Sequence, residues 1–465
     1  MFSDHSFSQK GAVYMYLKRK IDNWLIDWKG KAKKSPALIT GIRQCGKTSS
    51  IEYFAHSNYS NVIKVNFWDN PDYCTDFEGP LDVNTIISNL SLRFPGIMIH
   101  AEDTLIFFDE IQECPRARLA LKNFELDGRF DVIGSGSYLG INGYIIGDDT
   151  PAPTGYEDVY EMNTMDFEEF LWADGYSEDQ IEQLYSCFQA RQEVPEPMHS
   201  ILKRKYLNYL CVGGFPKAVA AYQSSKIIMD AVRATQSTVF DMKTDFGRRK
   251  KKDGTPVFKP SEISRIQNAF DLIPTFLAKE NKRFVVSKIT GGSSKDKTDA
   301  VEYLRQSHIV NKVHNVETPS LPLSGYRIPS QFKLFPEDIG IVTAMYGIDT
   351  VSAINRNQLG QGKGAIYEAL VFDSLHKAGI EAYYFAKDTG LEIDFVISYN
   401  GYACLVEAKA KTGNTKSSKT IMKHPDHYGP VKLIKTGDYN IGETGDILTI
   451  PQYAVFLLGR HNVKF

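Results

Sequence analysis

The sequence predicts an α/β protein that has a parallel sheet in its N-terminal part and a second α/β domain at its C-terminus. Two observations lead to this fold class. Short apolar runs alternate with longer helical patterns from Ser35 to Leu139, which is typical of βαβ units. Near the C-terminus, a helical pattern over 365–378 precedes apolar strands that carry acidic residues.

Composition sets the scale and excludes some function classes. The chain has 465 residues, which corresponds to roughly three domains at about 150 residues each. Hydrophobic residues make up 42% and charged residues 24%, as in globular proteins. With 54 Lys and Arg against 56 Asp and Glu, the net charge is −2. A general polyanion binder is therefore not expected, whereas a local basic patch is compatible with this balance.

The sequence also predicts a cytoplasmic protein without a membrane segment. The six cysteines form no CxxC pair, so neither a zinc knuckle nor a disulfide framework is indicated, and scattered cysteines suit a reducing cytosol. No apolar run approaches the ~18–20 residues that span a bilayer. The N-terminus lacks the apolar region and cleavage site of a secretion signal.

Four apolar runs are predicted to be the buried strands of the parallel sheet. They are ALIT (37–40), NVIKVNFW (61–68), TLIFFDE (104–110) and FDVIGSG (130–136). A Gly- and Pro-containing loop (140–155) follows, and helical pattern returns from Asp166 to about Tyr222. The basic run Arg248–Lys252 lies in a predicted exposed linker, where it is a solvated loop or a nucleic-acid contact.

The segment GIRQCGKT (41–48) fits the phosphate-binding pattern G-x-x-x-x-G-K-[ST], and it lies between a predicted strand and a predicted helix. The two glycines let the backbone N–H groups turn toward phosphate oxygens. Lys47 would reach the β- and γ-phosphates of ATP, and the Thr48 hydroxyl would bind Mg²⁺. The alternative is a chance match in a glycine-containing loop. The predicted nucleotide-binding residues are Gly41, Ile42, Arg43, Gln44, Cys45, Gly46, Lys47, Thr48, Ser49, Asp109 and Ser135.

An acidic pair supports the same interpretation. The apolar run Leu105–Phe108 delivers Asp109 and Glu110 to the end of a strand. Asp109 would hold Mg²⁺ through water, and Glu110 would orient and activate the attacking water. A solvated turn is the alternative. Further along, Ser135 or Ser137 would sense the γ-phosphate or merely cap a loop.

A second candidate site lies near the C-terminus. Glu407 and Lys409 are two residues apart on one strand, so their side chains share a face, and Glu392 and Asp394 are related in the same way. Converging carboxylates from Glu368, Asp394 and Glu407 would bind Mg²⁺ or Mn²⁺, and Lys409 would stabilise developing negative charge. This is the chemistry of metal-assisted phosphodiester hydrolysis. The alternatives are a surface strand with solvated charges and a fold that has lost catalysis.

Two sets of cations are candidates for contact with DNA. Lys416, Lys419 and Lys423 are spaced to share one helical face, which would contact phosphates without reading bases or would simply be a solvated face. A second set is Lys295, Lys297 and Arg305, which lie in a stretch of predicted short amphipathic helices between Ser261 and Val310.

Six motifs in a fixed order carry a resemblance to a known family. They are YLKRKIDNWLIDWKG, ALITGIRQCGKTSS, LIFFDEIQECPRA, VIGSGSYLG, MDFEEFLWADG and YLCVGGFPKAV. Together they resemble prokaryotic AAA-type P-loop ATPases that have a C-terminal domain of poorly assigned function. The spacing D-x12-E-x-K, with the Glu of GAIYEALVF, resembles the restriction-endonuclease-like core.

This resemblance implies four domains along the chain. They are an ATPase core over 1–195, a helical lid over 196–245, a winged-helix-like segment over 246–350 and a nuclease-like domain over 351–465. Winged helices bind DNA or proteins, so Lys295, Lys297 and Arg305 could serve either function.

One position departs from the family pattern. Relatives often carry Arg or Lys after the glycine in the segment before MDFEEFL, whereas this chain has Tyr156. If that cation acts in catalysis, another arginine must replace it. Arg116, Arg118 and Arg129 are candidates within the chain, and self-association or a protein partner could supply the arginine instead.

The sequence therefore predicts a cytoplasmic, Mg²⁺-dependent ATPase that couples its nucleotide state to a DNA-directed and metal-dependent nuclease module. The alternatives are an ATP-dependent switch or scaffold acting through protein partners, and a nuclease whose fold is merely stabilised by nucleotide.

Overall fold

The computed structural model describes most of the chain and divides it into two compact units. The described residues are 6–9, 12–137, 155–247, 255–279, 282–356, 358, 363–409 and 415–461. The N-terminal unit comprises Met1–Asn163, Lys250–Val257 and Gln306–His308. The C-terminal unit comprises Thr164–Arg249, Phe258–Arg305 and Ile309–Phe465. The basic run Arg248–Lys252 and most of the loop 140–155 lie outside the described residues.

The N-terminal unit contains a five-stranded sheet and the helices that connect its strands. The strands of the five-stranded sheet are β3 (Ala37–Thr40), β4 (Asn61–Asn66), β5 (Thr104–Asp109), β6 (Asp131–Gly136) and β7 (Asp158–Glu161), and β1 (Ser6–Gln9) and β2 (Ala12–Met15) form a separate two-stranded sheet. The helices of the unit are α1 (Lys20–Lys29), α2 (Lys47–Asn58), α3 (Val83–Arg93) and α4 (Pro115–Asp127).

The order of the large sheet is β4-β5-β6-β3-β7, and all its pairings are parallel. All residues of β3 and β5 are buried, as expected for parallel strands covered on both faces. Phe67, Phe77, Phe108 and Phe124 pack in one apolar cluster with residues of α3 and α4. The parallel α/β sheet predicted from the sequence is thus confirmed. It brings the ends of β3, β5 and β6 to one edge, where the candidate site lies.

The C-terminal unit begins with helices and ends in a large mixed sheet. Its helices are α5 (Phe167–Ala173), α6 (Glu178–Ala190), α7 (Glu196–Val212), α8 (Pro216–Ser225), α9 (Ile228–Asp245), α10 (Pro260–Asp271), α11 (Ile273–Leu277), α12 (Ser294–Gln306), α13 (Ile339–Tyr346), α14 (Ile348–Asn355), α15 (Lys363–Lys377), α16 (Lys416–Met422) and α17 (Pro425–Tyr428). Within the described residues, none of the helices has the length and apolar character that a membrane crossing requires.

The sheet of the C-terminal unit has the order β14-β15-β13-β12-β11-β10-β8-β9. Its strands are β8 (Val310–Val316), β9 (Arg327–Pro336), β10 (Ala382–Ala386), β11 (Glu392–Tyr399), β12 (Tyr402–Ala408), β13 (Val431–Gly437), β14 (Gly442–Thr444) and β15 (Ile447–Pro451). The strands β10, β11 and β12 pair antiparallel, and β12, β13 and β15 pair parallel. A mixed sheet with helices completes the predicted α/β class.

The hairpin of β8 and β9 belongs to this same sheet. The strand β8 pairs parallel with β10 through Asn315 and Tyr384, and the Asn315 amide also bonds to the backbone N–H and carbonyl of Ala386. The strands of the predicted winged-helix-like segment therefore continue the sheet of the predicted nuclease-like domain. The sheet crosses the predicted boundary between 350 and 351, and the winged-helix and nuclease-like identities stay predictions.

The C-terminal unit contains a buried group of charges. Lys377 Nζ lies 2.8 Å from carboxylate oxygens of both Asp338 and Asp373, and each of the three side chains is at most 2% exposed. Asp338 also accepts from the backbone N–H of Gly214 and Gly340, at 2.9 and 2.8 Å. These bonds join the end of α7 to the beginning of α13 and to α15. They form the Asp338–Lys377–Asp373 triad.

The GGFP sequence after α7 is explained by this packing. A Cβ atom at Gly214 would lie 2.0 Å from the Met165 carbonyl oxygen, and one at Gly213 would lie 2.5 Å from Asp338. Gly213 also has a left-handed backbone with φ of 75°. Only glycine fits where the backbone approaches the triad this closely.

Candidate functional site

The phosphate loop connects β3 to α2, as the sequence predicts. Gly41 has φ of 150°, and a Cβ atom there would lie 2.2 Å from the Met162 carbonyl oxygen, so no larger residue fits. Gly46 has φ of 102° and precedes the first residue of α2. The N–H groups of the first turn of a helix point outward and favour anions. This loop can therefore cradle phosphate oxygens.

The side chains of the loop divide into two groups. Ile42 and Cys45 are buried and anchor the loop in the core, whereas Gln44 and Ser49 are exposed. The Arg43 guanidinium lies 5.4 Å from the centre of the Trp68 ring. Lys47 is only 7% exposed. Its Nζ donates to the carbonyls of Gly41 and Ile42, at 3.0 and 2.9 Å, so the ammonium lies inside the curve of the loop.

A hydrogen-bonded group joins the end of β5 to the loop. Asp109 is 2% exposed and accepts from the Thr48 hydroxyl at 3.1 and 3.3 Å. The Ser135 hydroxyl at the end of β6 donates to Asp109 at 2.6 Å. From β4, Asn66 Nδ2 and Lys64 Nζ lie 3.3 and 3.4 Å from the same carboxylate. The structure thus brings together three of the predicted residues, from three separate segments.

These residues suit a hard divalent cation. A threonine hydroxyl beside a carboxylate is the donor set that Mg²⁺ takes in phosphate-loop enzymes, and both groups are oxygen ligands. Ser137, the other serine considered from the sequence, is buried and has no hydrogen-bond partner among the described residues. Ser135 is the serine that contacts Asp109.

Glu110 has an unusual backbone. It has φ of 52°, in the left-handed region that is rarely populated outside glycine. Its carboxylate accepts from Gln112 Nε2 at 2.5 Å, within the short helical turn Ile111–Glu113. Left-handed backbone outside glycine costs of order 1–3 kcal/mol and tends to occur at functional sites. The turn therefore directs Glu110 away from the line of β5 and holds its carboxylate in place.

Two of the residues that sequence reasoning missed support the candidate site. Arg19, just before α1, is 4% exposed and donates to the carbonyls of Cys45 and Asn163, at 2.6 and 2.7 Å. Gln112 holds the Glu110 carboxylate. In the sequence, an arginine before an amphipathic helix does not indicate a contact with the phosphate loop. A glutamine after an acidic pair does not indicate that it holds one of the carboxylates.

The three candidate arginines are all engaged within the N-terminal unit. Arg116 donates to the carbonyls of Phe77 and Gly79, and Arg118 is buried and paired with Glu157. Arg129 is bound to Asp127 at 2.8 Å. The ring of Tyr156, the residue expected to depart from the family pattern, is centred 4.9 Å from the ammonium of Lys122.

The C-terminal acidic residues are interleaved with lysines. Glu368 on α15 is 1% exposed and is paired with Lys333 at 3.0 Å and with Lys282. Although burial opposes ionisation, these two ammonium groups lower the pKa of Glu368. Lys333 also lies 3.4 Å from Glu392. Glu368 is thus a carboxylate whose charge is already neutralised by two cations.

Asp394, Glu407 and Lys409 lie together on neighbouring strands. Lys409 Nζ is 2.6 Å from Glu407 and 3.6 Å from Asp394. Asp394 accepts from the backbone N–H of Ala408 at 2.9 Å, and Glu407 accepts from Ser418 on α16. Burial and the charge of Glu368 raise the pKa of Asp394 to about 6. Among the described residues, no three His, Cys, Asp or Glu side chains are arranged to hold a metal ion.

The predicted DNA-facing cations differ in their surroundings. On α16, Ser418 and Ile421 form the buried face, Lys416 and Lys419 are exposed, and Lys423, just after the helix, is exposed as well. The second set is engaged locally. Lys295 pairs with Asp299, Lys297 donates to the Ser287 carbonyl, and Arg305 donates to Glu302.

Comparisons with protein families divide the chain into three regions. A family described as an AAA domain matches residues 33–171. A domain of unknown function (DUF8612) matches residues 203–352, and another (DUF4143) matches residues 363–453. The comparison with curated proteins gives no match.

Several solved structures are similar over much of the chain. A Walker-type ATPase of Pyrococcus abyssi has a TM-score of 0.41 and 11% identity, covering 71% of this chain and 96% of its own. The Orc1 protein of Aeropyrum pernix in complex with DNA has a TM-score of 0.25 and 12% identity, covering 70% and 90%. AMPPCP-bound DnaA of Aquifex aeolicus has a TM-score of 0.26 and 11% identity, covering 62% and 86%. At such low scores, these likenesses say nothing about what this chain binds.

The AAA match coincides with the phosphate loop and the parallel sheet. The chain therefore carries an AAA-type P-loop ATPase domain and is an ATPase that binds ATP. The two domains of unknown function assign no activity to the rest of the chain.

Proposed function

We propose that this chain is an ATP-dependent switch whose hydrolytic centre is formed by Lys47, Thr48, Asp109 and Glu110. The observation that supports this most strongly is the hydrogen-bonded group of Thr48, Asp109 and Ser135, which lies next to the phosphate loop. Phosphoryl transfer depends on positioning the reacting groups and on electrostatic stabilisation, and side chains of these types serve those purposes in phosphate-loop enzymes.

Each residue has a defined part in this proposal. When ATP binds, the Lys47 ammonium donates to the β- and γ-phosphate oxygens in place of the carbonyls of Gly41 and Ile42. Thr48 and Asp109 would hold Mg²⁺, which neutralises charge on the phosphates when it is bound. Glu110, fixed by Gln112, accepts the proton of the attacking water. Ser135 senses the γ-phosphate through its bond to Asp109.

We further propose that the arginine completing this centre comes from a second copy of the chain or from a protein partner. Tyr156 carries no charge, and Arg116, Arg118 and Arg129 are already bound to groups of their own unit. An arginine supplied by another subunit accelerates hydrolysis by about 10³–10⁵-fold in related chemistry.

This proposal predicts that ATP turnover per molecule falls on dilution. The purified chain would be assayed over a concentration series in Mg²⁺-ATP, with its mass at each concentration measured by light scattering. We expect the specific activity to fall as the assembly dissociates. A constant rate down to concentrations at which only monomer is present would place the arginine in the same chain.

For the C-terminal unit we propose a binding role without catalysis, so that the switch acts through protein partners. The lysines around the carboxylates support this, because Glu368 is paired twice and Glu407 shares Lys409 with Asp394.

The six free cysteines agree with a cytoplasmic location.

A metal-dependent nuclease directed to DNA is the second candidate. Its specific support is that Lys409 Nζ lies 2.6 Å from Glu407 and 3.6 Å from Asp394, and that the three residues follow the order expected of that core. In addition, the exposed Lys416 and Lys419 lie on α16, whose Ser418 bonds to Glu407, and the exposed Lys423 directly follows it. In this candidate, Asp394 and Glu407 would bind Mg²⁺ or Mn²⁺.

Cleavage of DNA by three variants in Mn²⁺ separates the two candidates. If the unit is a nuclease, Asp394→Asn should lose both metal binding and cleavage, and Lys409→Ala should retain metal but cleave at least about a hundredfold more slowly. Asp426→Asn on the exposed helix α17 removes the same charge elsewhere and should cleave like wild type. Absence of wild-type cleavage on single-stranded, double-stranded and branched DNA would support the switch. Equal cleavage by all variants would indicate a contaminating enzyme.

A further inference from the structure

A cavity of about 350 Å³ lies within the C-terminal unit and belongs to neither candidate site described above. It is lined by α7, by α15, by the end of β13 and by the start of the 3₁₀ helix Gln452–His461. Cavities of this size, about 300–1,000 Å³, are those that small molecules occupy.

The mouth of the cavity is positively charged. Its charged lining residues are Lys203, Arg204, Lys363 and Asp438, which together carry a net charge of +2. Lys203 and Asp438 form an exposed ion pair. No side-chain hydrogen bond or ion pair of Arg204 is present among the described residues. In a chain whose net charge is −2, this is a local excess of positive charge, which favours anions.

The floor of the cavity is apolar and aromatic. Leu210 and Leu370 are buried, and so are the rings of Tyr206 and Tyr453. The Tyr206 hydroxyl is bonded to Ser374 at 2.8 Å, and the Tyr453 hydroxyl is bonded to His199 at 2.8 Å. Because both hydroxyls already have partners, the two tyrosines offer apolar ring surface to an occupant rather than polar groups.

One wall of the cavity carries both a positive charge and an aromatic ring. The Tyr367 ring on α15 is half-buried, and the Lys363 ammonium lies 5.5 Å from its centre, one helical turn away. A planar ring can stack on such an aromatic side chain while an attached phosphate binds the ammonium. The volume, the charge and the ring surface together fit one class of ligand.

We propose that this cavity binds a phosphorylated small molecule with a planar ring, of the size of a mononucleotide. Arg204 and Lys363 bind the phosphate, and the tyrosines hold the ring. The site is separate from the phosphate loop, which lies in the N-terminal unit, and the proposal does not rest on the proposed function.

The cavity is also connected by a hydrogen bond to the segment that carries Glu407 and Lys409. Gln452, in its lining, donates through Nε2 to the Lys409 carbonyl at 2.8 Å. A ligand that contacts Gln452 would therefore act on the backbone that positions the Lys409 side chain beside Glu407.

The test measures binding of AMP to the full-length chain by equilibrium dialysis. All measurements use the Lys47→Ala variant, so that AMP binding at the phosphate loop is minimised. AMP lacks the β- and γ-phosphates that the loop would hold, and Lys47→Ala further lowers the affinity of the loop for nucleotide. Onto this background we would add Arg204→Ala, Lys363→Ala or Tyr367→Leu. We expect each to weaken AMP binding by about tenfold or more, because a charge-assisted contact or a stacked ring is lost. Lys217→Ala, which removes an exposed charge from α8, should bind AMP like the background.

The possible outcomes test whether the cavity binds a ligand and which class of ligand it binds. AMP binding that is undetectable, or that is unchanged by all three substitutions, would overturn the proposal. Inorganic phosphate binding as tightly as AMP would overturn the part that assigns a ring. A 5′-phosphorylated oligonucleotide that binds more tightly than AMP, with the same losses in the variants, would reassign the cavity to the end of a nucleic acid strand. Thermal unfolding of each variant would confirm that the fold is retained.

Discussion

Replacing Glu110 with glutamine is expected to slow ATP hydrolysis by about 10²–10⁴-fold while leaving ATP affinity unchanged. The amide cannot accept the proton of the attacking water, which is the role assigned to the carboxylate. The geometry should persist, because a glutamine oxygen can still accept from Gln112, and because glutamine tolerates the left-handed backbone at this position no worse than glutamate does. ATP affinity and steady-state turnover would be measured on the same preparation.

Two further variants make this result interpretable. Lys47→Ala removes the ammonium that would leave the Gly41 and Ile42 carbonyls for phosphate, so it should weaken ATP binding at least about tenfold. Glu102→Gln changes an exposed carboxylate just before β5 and should hydrolyse ATP like wild type. Wild-type turnover in Glu110→Gln would reject Glu110 as the base.

Lys377→Met is expected to destabilise the C-terminal unit strongly. It would leave Asp338 and Asp373, both at most 2% exposed, without the cation that neutralises them. Removing one partner of a buried ion pair costs about 3–5 kcal/mol, because the remaining charge is buried without compensation. Urea unfolding of the full-length chain would measure the loss. Lys217→Met, at an exposed position on α8, is the matched control.

The pH dependence gives this prediction a second readout. Burial raises the pKa of Asp373 from its usual 3.8 to about 6 even with Lys377 present. Between those values the folded state binds more protons than the unfolded state, so stability falls as pH rises from about 4 to about 6. Removing Lys377 raises the pKa of this carboxyl further. The deficit of the variant should therefore be smaller in acid than at neutral pH, and a loss below about 1 kcal/mol at pH 7 would argue against an essential ion pair.

The parts of the candidate site that could be predicted are those fixed by contiguous residues. The phosphate loop is formed by one short segment, so its pattern can be recognised without knowledge of the fold. Its key residues are Gly41, Gly46, Lys47 and Thr48. The acidic pair was visible because an apolar strand ends at it. Parallel strands bring their carboxyl ends to one edge, and the contact between Thr48 and Asp109 follows from that rule.

What could not be predicted depends on contacts between distant segments. Arg19 reaches the carbonyl of Cys45, and Lys377 neutralises Asp338, yet neither pairing leaves a pattern in the order of residues. The carboxylates near the C-terminus were visible as an acidic spacing. The partners that change their chemistry, Lys333 and Lys282, come from segments that the spacing does not include.

The pairing of β8 with β10 has a consequence for how this unit can be divided. A fragment that begins at residue 351 would contain β10 without the neighbour that covers one of its edges. An exposed edge of this kind pairs with other chains, so such a fragment would be prone to aggregate. The regions 203–352 and 363–453, which match two separate families, contribute strands to one sheet. Genetic rearrangements that move one region without the other would break that sheet, so we expect the two to be inherited as a single unit.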